Sequence, residues 1–198
     1  MLNIEQIRIR LADHQPEPVS IEVRRQAGVA MLLREWQNHP EILFIRRAEH
    51  EGDPWSGDLG FPGGGIEPGD RDARATAERE TWEEIGLRLE NHHYLGQGAE
   101  LAGAYLPIKI SCFVYLLDQP PAFHLNGEVV KTFWVPLRTL LDPQRNRLVS
   151  FSYRGVQRQH PVVELTEWSE RPLWGITYRL LQQFLSLFEI GFNYQERL

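Results

Sequence analysis

Apolar positions along the chain change their spacing from segment to segment. Ile4, Ile7 and Leu11 keep helical spacing behind Asn3 and Gln6, a pair with the form of a capping box, so a short amphipathic helix is expected over residues 3–13. Pro16 and Pro18 end it, and it should dock on the body of the domain or on a second subunit, as in a homodimer. Apolar runs at 28–33 and 41–45 flank the polar, proline-bearing stretch 34–40 and read as two antiparallel strands joined by a loop. Another strand is expected over 88–95. Over 105–117 the second half is almost continuously apolar, as in a central strand buried on both faces. A loop at 118–127 leads to a strand at 129–135, a helical turn at 136–141 and a hairpin of 147–153 with 156–165 about Arg154-Gly155. Pro172 opens a last helix to about Phe188, whose Leu173, Ile176, Leu180, Leu181, Phe184, Leu187 and Phe188 form the face of a docked helix. The alternation implies an α/β/α sandwich around a mixed β-sheet. A single domain over 1–198 is expected, with 1–24 as N-terminal helix and linker and 172–190 as C-terminal docked helix.

One stretch breaks these patterns. Residues 61–70 hold too many glycines and prolines for a strand or helix, which predicts a turn whose backbone approaches something closely. From 72 to 85 no breaker occurs, and Gly86 is placed as a helix C-cap. On that helix Glu80, Glu83 and Glu84 stand at i, i+3 and i+4 and share a face, where like charges repel. Ala73, Thr76 and Ala77 lie on the same face, small enough for the glycine loop to pack beside the carboxylates. An apolar stripe does not account for this face. A hard divalent cation does, because Mg²⁺ takes oxygen ligands from one or two carboxylates plus substrate phosphates. Without the loop, three glutamates alone would read as a solvated helix face.

Charge and cysteine content narrow the partners. With 27 acidic residues against 21 Lys and Arg, a net charge of −6 and no basic run, the chain lacks the footprint of a nucleic-acid binder. An anionic substrate therefore needs a metal or local basic groups. The lone Cys112 excludes an intrachain disulfide and reads as a small buried hydrophobe. No apolar run is long enough to span a bilayer and no signal-peptide pattern opens the chain, so no membrane partner and a cytoplasmic protein are expected.

Elsewhere the residues leave alternatives. Arg46 and Arg47 form either a solvated strand end or a phosphate-binding lip. The turn-rich loop 50–60 leads into the glycine stretch and is the natural place to read a substrate. His92 and His93, adjacent on a strand, would face opposite ways and cannot chelate one ion. Glu128 alone reads as a solvated loop end, and Trp174 as a core anchor rather than a stacking platform.

The pattern Gly64-x5-Asp70-x8-Arg79-Glu80-x2-Glu83-Glu84-x-Gly86-Leu87 resembles the Nudix box, the signature of Nudix hydrolases. The usual box has Glu where Asp70 stands, one residue fewer before the Arg, and a bulky aliphatic in place of Thr81. The longer spacing and the Asp resemble the coenzyme A diphosphatase branch, as does Phe61-Pro62-Gly63-Gly64 with Gly57 four residues before the Phe. That branch tends to carry Arg where this chain has Asp53. Glu128-Val129-x4-Trp134-Val135-Pro136-Leu137 and Trp174-Gly175-Ile176-Thr177-Tyr178-Arg179 extend the likeness to about residues 25–190.

The resemblance implies an enzyme that uses Mg²⁺ or Mn²⁺ to hydrolyse the diphosphate of a nucleoside-diphosphate derivative. Coenzyme A or acyl-coenzyme A is the first candidate, giving adenosine 3′,5′-bisphosphate and 4′-phosphopantetheine or its acyl form. It implies metal ligation by Glu80, Glu84 and the Gly63 carbonyl, with Glu83 as ligand or base, Arg79 orienting a carboxylate, and Glu128 as a further ligand or base. Arg46, Arg47, Gly57 and Phe61 become substrate-binding candidates, and Asp70 fixes the loop or caps the helix. Two other readings stay open: a Nudix hydrolase for ADP-ribose, a dinucleotide or a nucleoside triphosphate, and a non-catalytic nucleotide-binding module. The intact glutamate set argues against the latter.

Overall fold

The computed structural model describes residues 2–19, 25–52, 55–90, 93–103, 107–119, 122–153 and 156–192, the backbone alone for 151–153 and 156. Asp53, His92, Tyr105, the turn at Arg154-Gly155 and linker residues 20–24 lie outside them.

Helix α1 (Ile4–Ala12) starts as expected: the Asn3 side chain accepts from the Gln6 N–H at 2.9 Å, and Gln6 reaches back to the Asn3 N–H at 3.0 Å. The helix docks on the body of the domain, with Ile7 and Leu11 buried in the core and Arg10 donating to the Leu187 carbonyl.

Strands β1 (Arg25–Trp36) and β2 (His39–Arg47) are longer than the apolar runs. The loop expected over 34–40 is instead paired strand, closed by a two-residue turn at Gln37 and Asn38, whose φ angles of 51° and 62° belong to a type I′ hairpin. Its polar composition reflects a hairpin end beyond the core. Arg34, for example, pairs with buried Glu41 at 2.7 Å while lying over the Trp134 ring.

After β3 (Leu59–Gly60), the glycine stretch is also partly strand rather than a turn: β4 (Gly63–Gly65) pairs antiparallel with Ala27 to Val29 of β1. Helix α2 (Ala73–Ile85) is capped by Asp72, whose side chain accepts from the Ala75 N–H, and ends at Gly86 with φ 69°.

Strand β5 (Tyr94–Ala102) begins six residues later than 88–95 predicts, so His93 precedes it in a turn with Glu90. It pairs with the buried β6 (Ile108–Leu116), which runs parallel to β1; β7 (Val129–Pro136) adds to the far edge of β2, and α3 (Leu137–Leu140) follows. The sheet is mixed, in the order β3-β2-β1-β6-β5 with β4 on β1 and β7 on β2.

Residues alternate between its faces. Ala30, Leu32, Phe113 and Tyr115 face α2, whereas Met31, Leu33, Cys112 and Val114 face a second core. There the hairpin β8 (Asn146–Tyr153) and β9 (Val156–Val163), α1 and α4 (Gly175–Ser186) close the other layer. Helix α4 starts later than Pro172, because Leu173 makes a two-way bridge with Val163 that holds the chain extended. Cys112 is buried as expected, its thiol pushed up to about 12 by desolvation.

Candidate active site

Close packing of α2 on the sheet builds the site. A Cβ at Gly28 would fall 1.8 Å from the Ala73 carbonyl, so this glycine lets the start of the helix lie directly on β1. In the sequence Gly28 carries no signal beyond a glycine opening an apolar run. At Gly64 a Cβ would sit 2.3 Å from Glu80 Oε1: the carboxylate occupies the space that the missing side chain leaves.

The register of β4 directs its polar groups. Ala30 N–H donates to the Pro62 carbonyl and Ile66 N–H to that of Gln26, which makes Val29 and Gly63 a pair without mutual hydrogen bonds. Gly63 therefore turns its N–H and C=O away from β1. The N–H donates to Glu84 Oε2 at 3.0 Å.

Glu84 is 1% exposed, with Arg47 Nη1 3.7 Å from its other oxygen. Burial, aided by the charges of Glu80 and Glu128, pushes its carboxyl up to about 8 against the pull of the Gly63 N–H and Arg47. Glu80 is raised for the same principal reason, with Glu83 and Glu128 adding to the shift. Glu128 thus belongs to the same electrostatic site. Its carbonyl accepts from Ala48 N–H at 2.7 Å and its N–H donates to Asn126 Oδ1, fixing the β7 entrance beside the end of β2.

Arg79 ties the acidic helix to the loop. It donates to both Asp70 oxygens at 3.0 Å, to Glu80 at 3.0 Å, to Glu83 at 2.8 Å and to the Gly65 carbonyl at 3.3 Å. Asp70 also accepts from Glu67 N–H and Thr76 Oγ1, so it fixes the loop while Asp72 caps the helix. The Arg79 guanidinium holds the Asp70 carboxyl far below its ordinary range. Thr81 is fully buried, its hydroxyl satisfied by the Ala77 carbonyl.

Among the described residues no three acidic, imidazole or thiol groups form a ready metal cluster, and Arg79 pairs with both Glu80 and Glu83. The donor chemistry nonetheless fits a divalent cation: two carboxylates are desolvated against each other beneath a glycine strand, and their charge is what a cation would neutralise.

Beside the glycine strand lies a cavity of about 460 Å³. Its wall includes Arg47, Phe61 and Gly63, whereas Arg46 and Gly57 stand outside it. Arg46 approaches Glu49 at 3.9 Å, and Gly57, with φ 73°, turns the loop beneath Glu49 and Arg171. Trp174 is a cavity wall rather than a core anchor: it is half-buried, donates Nε1–H to Asp58 at 3.0 Å and meets the His160 ring edge-on. Asp58 and His160 were not legible as site residues, because only tertiary packing brings them to Trp174.

Residues 24–158 match the NUDIX domain, and the chain belongs to the Nudix hydrolase family. It is 31% identical over 177 residues to the human mitochondrial coenzyme A diphosphatase NUDT8, covering 87% of this chain and 72% of that protein. The peroxisomal coenzyme A diphosphatase ndx-8 of Caenorhabditis elegans is 35% identical over 138 residues, 67% of this chain and 58% of the relative. In fold the chain is similar to a MutT/nudix family protein from Enterococcus faecalis, with a TM-score of 0.59 at 14% identity over 87% of this chain and 64% of that one. No described helix is long and apolar enough to cross a membrane.

Proposed function

We propose that the chain hydrolyses the diphosphate of coenzyme A or acyl-coenzyme A in a reaction dependent on Mg²⁺ or Mn²⁺, releasing adenosine 3′,5′-bisphosphate and 4′-phosphopantetheine or its acyl form. The observation that carries the reading is the desolvated pair Glu80 and Glu84 set against a side-chain-free strand, with Arg47 beside Glu84. The names of the human and nematode relatives support coenzyme A as substrate.

Glu80, Glu84 and the Gly63 carbonyl are the groups that would hold the cation, with Glu83 as a further ligand or the base. When bound, the cation neutralises diphosphate charge and acidifies water. The chain's own residues supply the rest. Asp70 anchors Arg79, which orients Glu80 and Glu83. Arg47 brings positive charge to the boundary between the acidic site and the cavity, where a phosphate oxygen can take it as a charge-assisted hydrogen bond. Glu128, whose charge acts on Glu84, would accept a proton or add a ligand, and Phe61, stacked on Phe44, gives the cavity a rigid wall. Arg46 and Gly57 stand outside the cavity and would act on the substrate only indirectly, Arg46 through Glu49 and Gly57 through the turn its positive φ allows. One catalytic unit acting on a small nucleotide rather than on nucleic acid fits the net charge of −6.

Chromatography and mass analysis of products from coenzyme A, ADP-ribose, a dinucleotide and a nucleoside triphosphate, each with Mg²⁺ or Mn²⁺, test the reading. Cleavage of coenzyme A to the two named products supports it; efficient cleavage of another compound with coenzyme A left intact replaces it.

A further inference from the structure

The carbonyls of a helix's last turn have no partner within the helix. At the end of α2 two of them are taken by the loop that leads into β7: His124 N–H donates to the Ile85 carbonyl and Asn126 N–H to that of Glu84, each at 3.0 Å. Gly86 permits this approach. A Cβ there would lie 2.9 Å from His124 Cβ and 3.2 Å from the His124 carbonyl oxygen, so the glycine serves the loop as well as the left-handed end of the helix. Phe123, tilted against Trp134 with ring centroids 6.5 Å apart, anchors the start of this segment on the core.

Asn126 makes a second connection. Its side-chain Oδ1 accepts from the Glu128 N–H at 2.9 Å, closing a turn two residues on, while the Glu128 carbonyl accepts from Ala48 N–H at 2.7 Å. Both backbone groups of Glu128 are therefore held, the N–H by a residue bonded to α2 and the C=O by the residue after Arg47. The Glu128 side chain is exposed, and its charge acts on Glu80 and Glu84. Between Asn126 and Glu128 stands Gly127, the residue type with the most backbone freedom to lose, and no atom lies within 4 Å of where its Cβ would be. The side-chain bond across it restricts that freedom.

Resting on the coenzyme A reading and on the part given there to Glu128, we propose that Asn126 is a positioning residue for the hydrolysis, holding Glu128 in a fixed relation to the helix that carries Glu80 and Glu84. The bond is a single exposed one, so its loss weighs little on the fold and more on where Glu128 stands.

The experiment measures kcat, KM and melting temperature for the parent, Asn126→Ala, Asn126→Ser, Glu128→Gln and the Asn126→Ala, Glu128→Gln double variant. Saturating Mg²⁺ is used with whichever compound is cleaved among coenzyme A, ADP-ribose, a dinucleotide and a nucleoside triphosphate. Asn126→Ala keeps the backbone N–H on the Glu84 carbonyl and removes the acceptor for Glu128. It should lower kcat about 10-fold with KM within about twofold, the pattern of an interaction made in the transition state. Its melting temperature should stay within about 3 °C of the parent. Asn126→Ser, whose hydroxyl closes the same turn more weakly, should bring kcat back to within about threefold of the parent. In the Glu128→Gln background the alanine should cost less than about twofold, because the group that it positions is already disabled.

Parental kcat in Asn126→Ala or in Glu128→Gln overturns the proposal. So does an alanine loss that serine does not relieve, or one that adds undiminished to that of Glu128→Gln, since Asn126 then serves the fold alone. Coenzyme A recovered intact, with the expected pattern on another compound, removes the coenzyme A reading and leaves the positioning role standing; a protein that cleaves none of the four removes both.

Discussion

Adding one methyl group at Gly64 should separate catalysis from stability. The new Cβ would lie 2.3 Å from Glu80 Oε1 and 2.5 Å from its carboxyl carbon, where ordinary contact begins near 3.4 Å. The carboxylate must retreat by about 1 Å. What it meets is the free end of a flexible side chain, so the cost to the fold is an off-rotamer adjustment of about 0.5–1.5 kcal/mol. Replacing Gly by Ala at a compatible backbone angle returns about 0.4–1 kcal/mol by restricting the unfolded chain. These nearly cancel, and the melting temperature of Gly64→Ala should stay within about 3 °C of the parent. Activity should not survive as well, because a displacement of ~1 Å at a reacting centre costs about 10²-fold. Gly28→Ala provides the contrast: its Cβ would meet the Ala73 backbone at 1.8 Å, and backbone cannot swing aside, so that variant should lose stability first. The assay is kcat/KM on the cleaved substrate beside thermal unfolding of both variants. Full activity in Gly64→Ala would show that the position of Glu80 is immaterial and would refute the packing argument.

Glu84→Gln should lower turnover by at least ~10²-fold yet leave the melting temperature unchanged or raised, because the amide avoids the desolvation that burdens the buried carboxylate; steady-state kinetics and calorimetry check both signs. Added Mg²⁺ should raise the melting temperature by mass action, up to ~2.7 kcal/mol at a hundredfold excess over Kd, and Glu80→Gln should blunt the rise; an unchanged curve over millimolar Mg²⁺ would favour a merely solvated acidic face. Asp70→Asn should cost about 2 kcal/mol at pH 7, the worth of hydrogen bonds to a charged group that Arg79 loses. Because Arg79 depresses the folded carboxyl, this stability is present above the unfolded value near ~4 and is lost as pH falls toward the folded one, so the difference between parent and variant melting curves should shrink below about pH 4.

The helix carrying the glutamates was legible because capping, uninterrupted spacing and Gly86 agree locally, and the strands of the core because their apolar runs are buried on one or both faces. Polar composition misled at 34–40, where strand pairing continues beyond the core, and at 63–65, where glycines form a short strand because Gly28, Val29 and Glu80 need the missing side-chain space. The start of α4 depended on a bridge between Leu173 and Val163 that no local signal announces. In the candidate site, the shared helix face of Glu80 and Glu84 follows from their spacing, whereas the part expected of Arg79 comes from the resemblance to the Nudix box, and that of Asp70 from its place before the helix. The division of the arginines could not be read in advance: Arg47 reaches Glu84 and the cavity while Arg46 turns to Glu49, and which of two adjacent strand residues faces the acidic helix is set by the packing of the sheet, not by local sequence. Trp174 looked like core because a tryptophan before an apolar helix usually is, and only Asp58 and His160 reveal the wall it forms.

The central claim meets its most direct test in mass analysis of coenzyme A incubated with the protein and Mg²⁺ or Mn²⁺, run in ¹⁸O-labelled water beside the Glu84→Gln variant. The account expects adenosine 3′,5′-bisphosphate and 4′-phosphopantetheine in equal amounts, a single label incorporated between them, and product formation that requires the cation and falls at least ~10²-fold in the variant. Coenzyme A recovered intact while ADP-ribose or a dinucleotide is cleaved, or cleavage unaffected by Glu84→Gln, would contradict it.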